Sequence, residues 1–247
     1  MVKIGMNTRS GQFKAEGSPE QLKAALEYAL TELGTDYIDI LVLCRVDPSV
    51  PIEESARGLK ALVDAGKARA IALSEASAEN IRKAHAVCPI ACIEQEYSIW
   101  TRDIEDDILP TCKELGIAVV AYSPLGRGFL TGSVKDQKDI PAGDFRSFGQ
   151  PRLAGDALVN NVSLLNKLEA IAQRKQCSVG QLSLAWVHAQ GSNIFPIPGT
   201  TKLPHLAENL KAGHMQLTPQ DLKVSFCSRF SCGRFLSACL FQFVPTD

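Results

Sequence analysis

The sequence predicts an α/β protein in which a parallel sheet is covered by helices, and three observations support this. Short apolar runs of strand length alternate along the chain with segments of helical periodicity. The runs are near-continuously apolar, as in Ile38-Asp-Ile-Leu-Val-Leu43, which fits strands buried on both faces. Polar residues gather just after the strands: Lys3, Arg45 and Asp47, Ser74 and Glu75, Glu94, Ser123, and Thr200 to Lys202. Roughly six strand–helix units are visible, and periodicity leaves open a doubly wound sheet or a (β/α)-barrel. The polar strand ends favour the barrel, where they converge on one mouth. The glycine-rich loop comes late rather than after the first strand, which argues against a G-x-G-x-x-G dinucleotide fold.

Taken in order, Met1 to Met6 reads as a short strand, followed by a polar loop to Gly17. Ser18-Pro-Glu-Gln21 is a helix start, with serine as N-cap, proline in the first turn and glutamine closing a capping box. Leu22, Leu26, Leu30 and Leu33 share one face of that helix and Gly34 stops it. A strand over Tyr37 to Leu43 follows, then a helix from Ile52 to about Ala65 that buries Ala56, Leu59 and Leu62, ended by Gly66. Ala70 to Leu73 is a strand, Ser77 caps a helix to about Ala86, and Pro89 to Glu94 is a strand. Asp103 is expected to cap a helix over Ile104 to Leu115, and Ile117 to Val120 is the next strand. After a long irregular stretch, helices are expected at about 162–175 and from the Ser178–Gln181 capping box to about Gln190. Asn193 to Ile197 is a strand, Leu203 to Ala212 a helix, and Thr218-Pro-Gln220 starts another.

With 247 residues, 45% of them hydrophobic and 21% charged, the chain has ample material for a core. A net charge of −1 gives no general attraction to nucleic acid or an anionic membrane. Nothing near Met1 has the charge and apolar pattern of a signal peptide, and no apolar run would span a bilayer, so the cytosol is the expected compartment. Cys44, Cys88, Cys92, Cys112 and Cys177 are scattered without C-x-x-C spacing and read as reduced, mostly buried thiols. Cys227, Cys232 and Cys239 fit no zinc spacing.

The stretch Ala121-Tyr-Ser-Pro-Leu-Gly-Arg-Gly-Phe-Leu-Thr-Gly132 follows a buried strand and places two glycines around Arg127. It reads either as an ordinary strand-to-helix loop or as a cradle whose backbone N–H groups approach an anion with a cation beside them. Its neighbours along the chain give it a context. Together with Asp36-Tyr-Ile-Asp-Ile40, Arg45-Val-Asp-Pro48, Ala72-Leu-Ser-Glu75, Glu96-Tyr-Ser98 and Ile197-Pro-Gly-Thr-Thr-Lys202 followed by Glu208-Asn209, it resembles the aldo-keto reductase superfamily over about residues 1 to 223. Phe145-Arg-Ser147 and Pro151-Arg152 suggest the fungal and bacterial branch that includes pyridoxal-reductase-like enzymes.

The resemblance implies a (β/α)8 TIM-type barrel, here with about six of eight units, that reduces an aldehyde or ketone with NADP(H). Lys3 matches the family's catalytic lysine; without that frame it would read as a surface lysine near a terminus. Cys44 stands where histidine is usual, and a thiol is a weak donor, so it reads as a buried filler in the histidine's place. For the cofactor, Ser74 and Glu75 match the pair that holds the nicotinamide amide, with asparagine commoner than Glu75. Glu94 takes a position usually held by glutamine, and Tyr122 matches the aromatic that stacks on the ring. Ser123, Pro124, Leu125, Gly126, Arg127 and Gly128 form the expected diphosphate clamp. Thr200, Thr201 and Lys202 match the 2′-phosphate site, His205 a neighbouring basic position, and Glu208 and Asn209 the adenine pair.

The family's catalytic aspartate and tyrosine lie in a phrase that would precede Met1, and Tyr37, Tyr97 and Tyr122 do not stand in for them. From Val224 the resemblance stops in a Cys- and Phe-rich tail, residues 224–247, that reads as out-of-frame or unspliced sequence. The expectation is a partial barrel over residues 1–223 with two open edges, covered in a stable protein by an oligomer or a partner chain. The functional classes this leaves are an NADPH-dependent carbonyl reductase, a catalytically silent NADP-binding or regulatory protein, and a non-functional truncated fragment. No metal, nucleic acid or membrane partner is expected.

Overall fold

The computed structural model describes residues 1–8, 13–147 and 149–222. They divide into two units, one of residues 1–95 with 103–120, the other of 96–102 with 121–222. The expected tail domain at 224–247, with Cys227, Cys232 and Cys239, lies outside the described residues.

In the first unit, β1 (Val2–Ile4) pairs in parallel with β4 (Ile38–Leu43), which pairs in turn with β5 (Ala68–Ser74). β5 then pairs with β6 (Ile90–Glu96), its register shifting between Ile71 and Ala72. With β7 (Ala118–Tyr122) and β8 (Ile194–Pro196), the described strands form a six-stranded sheet in the order β1-β4-β5-β6-β7-β8, not closed among the described residues. Between the strands lie α1 (Pro19–Leu33), α2 (Ile52–Asp64), α3 (Ala78–Val87) and α4 (Ile108–Leu115).

The register separates two faces. Val42, Ala72, Cys92 and Val120 form one buried cluster, with Ile40 and Ala118 packed against it. Leu41, Leu43, Ile71, Leu73 and Ile93, of opposite parity, are fully buried. Helices α1 and α2 bury Leu22, Leu26, Ala56 and Leu59, and α1 packs on β1 and α2 on β5. Leu43 and Leu22 both close on Gly5, whose φ of +79° ends β1.

Local signals set several boundaries. Ser18 accepts from the Gln21 N–H while Gln21 bonds back to the Ser18 N–H, and Gly34 ends α1 in the left-handed region at φ +62°. Ser77 caps α3 through the Asn80 N–H. Four expectations are corrected. Leu33 matches the angle of the apolar stripe but is 57% exposed, because the last turn runs past the packed part of α1. The loop before Gly17 contains a small hairpin, β2 (Met6–Asn7) with β3 (Lys14–Ala15), so the first strand breaks at Gly5. Asp103 opens a 3-10 turn over Asp103–Glu105, and α4 starts at Ile108 instead of Ile104. Asp103, Glu105, Asp106 and Asp107 thus crowd the segment before the helix, where the helix dipole favours them.

The second unit holds residues 96–102, the end of β7, 3-10 turns including Gly126–Thr131 and Pro151–Leu153, then α5 (Gly155–Arg174), α6 (Val179–His188), β8, α7 (Leu203–Ala212) and α8 (Pro219–Leu222). Helix α5 starts well before residue 162, the fourth correction. No side chain caps it, and Asn160 and Asn161 interrupt the apolar period of its first turns. Trp186 is the largest fully buried side chain, packed at 5.6 Å from Tyr97.

Candidate functional site

The C-terminal ends of β1, β4, β5 and β6 bring the polar residues of the first unit together. In register, Lys3 lies level with Val42, Val42 with Ala72, Ala72 with Cys92 and Ser74 with Glu94. The Cys44 N–H extends the ladder to the Ile4 carbonyl at 2.8 Å. The Lys3 ammonium contacts Glu94 Oε1 at 2.7 Å, and Glu94 is buried at 8% exposure. Arg45 Nη1 donates to the Cys44 carbonyl at 2.6 Å and to Ser74 Oγ at 3.3 Å. Glu75 has φ +55°, and its N–H reaches the Glu94 carbonyl at 3.1 Å. Cys44 is half-buried, and among the described residues Cys44, Cys88, Cys92, Cys112 and Cys177 are all free thiols.

Asp47 fastens the loops beside these strand ends. One oxygen accepts from the Gly17 N–H at 3.0 Å, the other from the Ser49 N–H at 2.8 Å and the Ser49 hydroxyl at 2.6 Å. Ser55 Oγ donates to the Gly17 carbonyl at 2.7 Å. Burial pushes the Asp47 carboxyl up, but the bonds from Ser49 and Gly17 and the charge of Lys14 outweigh it, leaving it below its ordinary value.

In the second unit the glycine-rich stretch is a tight turn. Five residues have positive φ: Ser123 (50°), Gly126 (55°), Arg127 (53°), Gly128 (92°) and Gly132 (81°). The Gly126 N–H bonds the Ser123 carbonyl, and the Gly128 and Leu130 N–H groups bond that of Leu125, so these donors are engaged inside the turn. Arg127 is engaged as well, with Nη2 at 3.0 Å from Glu96 Oε2 and Nη1 at 3.3 Å from Glu96 Oε1 and 3.2 Å from Gln150 Oε1. A Cβ on Gly126 would sit 2.8 Å from the Trp100 ring, which fixes glycine there. Tyr122 is half-buried at the end of β7, its carbonyl accepting from the Tyr97 N–H at 3.3 Å; Pro124 is buried and Leu125 half-buried.

After β8, Thr200 Oγ1 accepts the Lys202 N–H at 3.1 Å and shapes the approach to α7. Thr200, Thr201, Lys202 and His205 are exposed around the first turn of this ten-residue helix, a place that favours anions. Glu208 and Asn209 are half-buried, and Gln181 donates to the Glu208 carbonyl at 3.2 Å. The candidates thus form a strand-end group of Lys3, Cys44, Ser74, Glu75 and Glu94 in one unit. In the other they form a turn and a helix start. Arg45, Glu96 and Gln150 were absent from the expected site. Their signal was polarity just after a strand for Arg45 and Glu96, and none for Gln150. Among the described residues no three His, Cys, Asp or Glu side chains are grouped to hold a metal ion, and no helix is long and apolar enough to cross a membrane.

Residues 2–224 match the model of the Aldo/keto reductase family. A thermostable aldo-keto reductase crystallised with the inhibitor epalrestat is 28% identical, with a TM-score of 0.68 over 84% of this chain and 66% of that one. The glycerol dehydrogenase from Gluconobacter oxydans is also 28% identical, with a TM-score of 0.81 over 89% of this chain and 68% of that one. The chain therefore spans about two thirds of the length of these structures. On the extent of that match, the chain belongs to the aldo/keto reductase family.

Proposed function

We propose that the chain is an NADP(H)-binding oxidoreductase acting on a small aldehyde or ketone. The observation that carries this reading is the gathering of Lys3, Ser74 and Glu94 at the C-terminal ends of neighbouring parallel strands, where barrel enzymes of this layout place their chemistry. The exposed hydroxyls and ammonium of Thr200, Thr201 and Lys202 at the start of α7 suit a phosphate monoester, so the residues present fit a 2′-phosphorylated dinucleotide.

In this reading Ser74, Glu75 and Glu94 of the first unit would hold the carboxamide; in the second unit, taken by itself, Tyr122 would serve the ring and Ser123 to Gly128 the diphosphate. Thr200, Thr201, Lys202 and His205 take the 2′-phosphate, with Glu208 and Asn209 at the adenine. When bound, the reduced nicotinamide supplies the hydride. The Lys3 ammonium, held in place by Glu94, brings its remaining N–H donors to the strand ends, where one would hydrogen-bond a carbonyl oxygen. Glu94 can accept from a carboxamide NH2 but cannot donate to its oxygen.

A second reading, a silent NADP-binding protein, is favoured by Cys44, whose thiol donates weakly where an imidazole would polarise a carbonyl. NADPH fluorescence titration and turnover of an aromatic aldehyde separate the readings. Binding with turnover supports the enzyme, binding without turnover selects the silent protein, and no binding at all sinks both. Lys202→Ala is expected to weaken NADPH about tenfold while leaving NADH nearly unchanged.

A further inference from the structure

We propose that Glu96 is a positioning residue for the glycine-rich turn, and that Arg127 serves as its latch and not as a ligand for the cofactor's diphosphate. The inference deepens the reading above, since it takes the turn to be the diphosphate border. It rests on contacts within the second unit alone.

Arg127 is not glycine, yet it sits at φ 53° and ψ 36°, a left-handed conformation that costs a side-chain-bearing residue about 1 kcal/mol or more. Its guanidinium is turned onto Glu96 in a two-pronged pair, a geometry that fixes direction as well as charge. The pair is mostly withdrawn from solvent, with side chains 24% and 17% exposed. Glu96 is itself anchored: the Thr101 hydroxyl donates to Glu96 Oε1 at 3.3 Å and accepts from Arg152 Nη1 at 2.8 Å. Arg152 lies over the Trp100 ring, whose indole N–H donates to Asn161 on α5 at 3.0 Å. Asn161 returns a bond to the Arg152 carbonyl at 2.8 Å. Trp100 is the ring against which Gly126 closes, so one connected set of bonds runs from α5 to both sides of the turn. On the far side, Arg146 Nη1 donates to the Arg127 carbonyl at 3.4 Å while Asp144 holds its guanidinium.

A guanidinium committed in this way presents little free charge to an anion. What it contributes is the shape of the turn, and Glu96 sets that shape.

The test uses the full chain and the variants Glu96→Gln, Arg127→Lys, Arg127→Met and the Glu96→Gln/Arg127→Met double. Hydrogen exchange of peptides spanning residues 123–132 is read without ligand, beside NADPH titration. Glu96→Gln and Arg127→Lys are expected to speed exchange in that segment about tenfold while α6 stays unchanged. Both are expected to weaken NADPH by a comparable factor. Arg127→Met is expected to add nothing in the Glu96→Gln background, because both changes open the same latch. Unchanged exchange in Glu96→Gln overturns the proposal. So does tighter NADPH binding in that variant, or a further loss in the double, either of which would make Arg127 a direct anion ligand. If the unmutated chain binds no NADPH, the functional reading fails, and the latch is then judged on exchange alone, by the same non-additivity.

Discussion

Replacing Asp47 by asparagine tests how the loops beside the strand ends are held. Asp47 is 6% exposed and receives three hydrogen bonds, from the Gly17 N–H at one oxygen and from the Ser49 N–H and hydroxyl at the other. Asparagine keeps a single carbonyl oxygen. If that oxygen stays with Ser49, the amide NH2 is aimed at the Gly17 N–H and two donors face each other. One charge-assisted bond is lost and a buried donor is left unpaired, a cost of about 1.5–3 kcal/mol. With a urea slope of about 3 kcal/mol/M for a chain of this size, the unfolding midpoint should fall by roughly 0.5–1 M at pH 7. The sign with pH follows from the lowered folded-state carboxyl. Its stabilisation is complete above the unfolded value and is lost as pH falls through the folded one. The gap between Asp47→Asn and the unmutated chain should therefore narrow below about pH 4. Urea titrations by far-UV circular dichroism at pH 7 and at pH 3 read both effects. Equal midpoints at pH 7, or a gap of constant size at the two pH values, would show that the Asp47 carboxylate does not hold these loops.

Two further outcomes are expected. Asp221, held by Lys175 Nζ at 2.8 Å and by the Thr218 hydroxyl at 2.6 Å, has its carboxyl pulled down to about 2. Asp221→Asn should lower the melting temperature by a few degrees at pH 7, with the difference shrinking as pH falls from about 4 towards 2; a constant difference would rule out the ion pair as the cause. Gly58→Ala should destabilise despite alanine's helix propensity, because its Cβ would sit 2.9 Å from the Pro19 Cα, a backbone atom that cannot swing away. The steric cost of about 1–3 kcal/mol exceeds the propensity gain of about 1 kcal/mol, and a raised melting temperature would show that the α1–α2 contact relaxes.

What could be read in advance was local. The Ser18–Gln21 and Ser178–Gln181 boxes, the Gly34 stop and the span of α7 all depend on residues within one or two turns of each other. The β2–β3 hairpin escaped because its two-residue strands carry no period of their own. The start of α5 escaped because Asn161 points its amide at Trp100 and Arg152, a tertiary use that looks like loop composition in sequence. In the site, residue types were legible and partners were not. Glu94 was expected at a carboxamide, and the fold sets its carboxylate against Lys3. Arg127 was expected beside an anion, and the fold gives it Glu96. Glu75 looked like an oddity where asparagine is commoner, yet its φ of +55° supplies the reason for that preference, since asparagine tolerates the left-handed region best among side-chain-bearing residues.

The Lys3–Glu94 pair also carries information about shape. β1 and β6 are separated by β4 and β5, so on a flat sheet their axes would lie about 14 Å apart, with side chains standing parallel and perpendicular to the plane. An ammonium and a carboxylate so placed could not meet, yet here they are 2.7 Å apart. The pair is thus a chord drawn across an arc, possible only where the wall bends towards the face that holds Val42, Ala72 and Cys92. The small side chains of Ala72 and Cys92 leave the inside of that bend narrow enough to be bridged. A bulky residue at Ala72 would flatten the arc, and loss of the chord would report it.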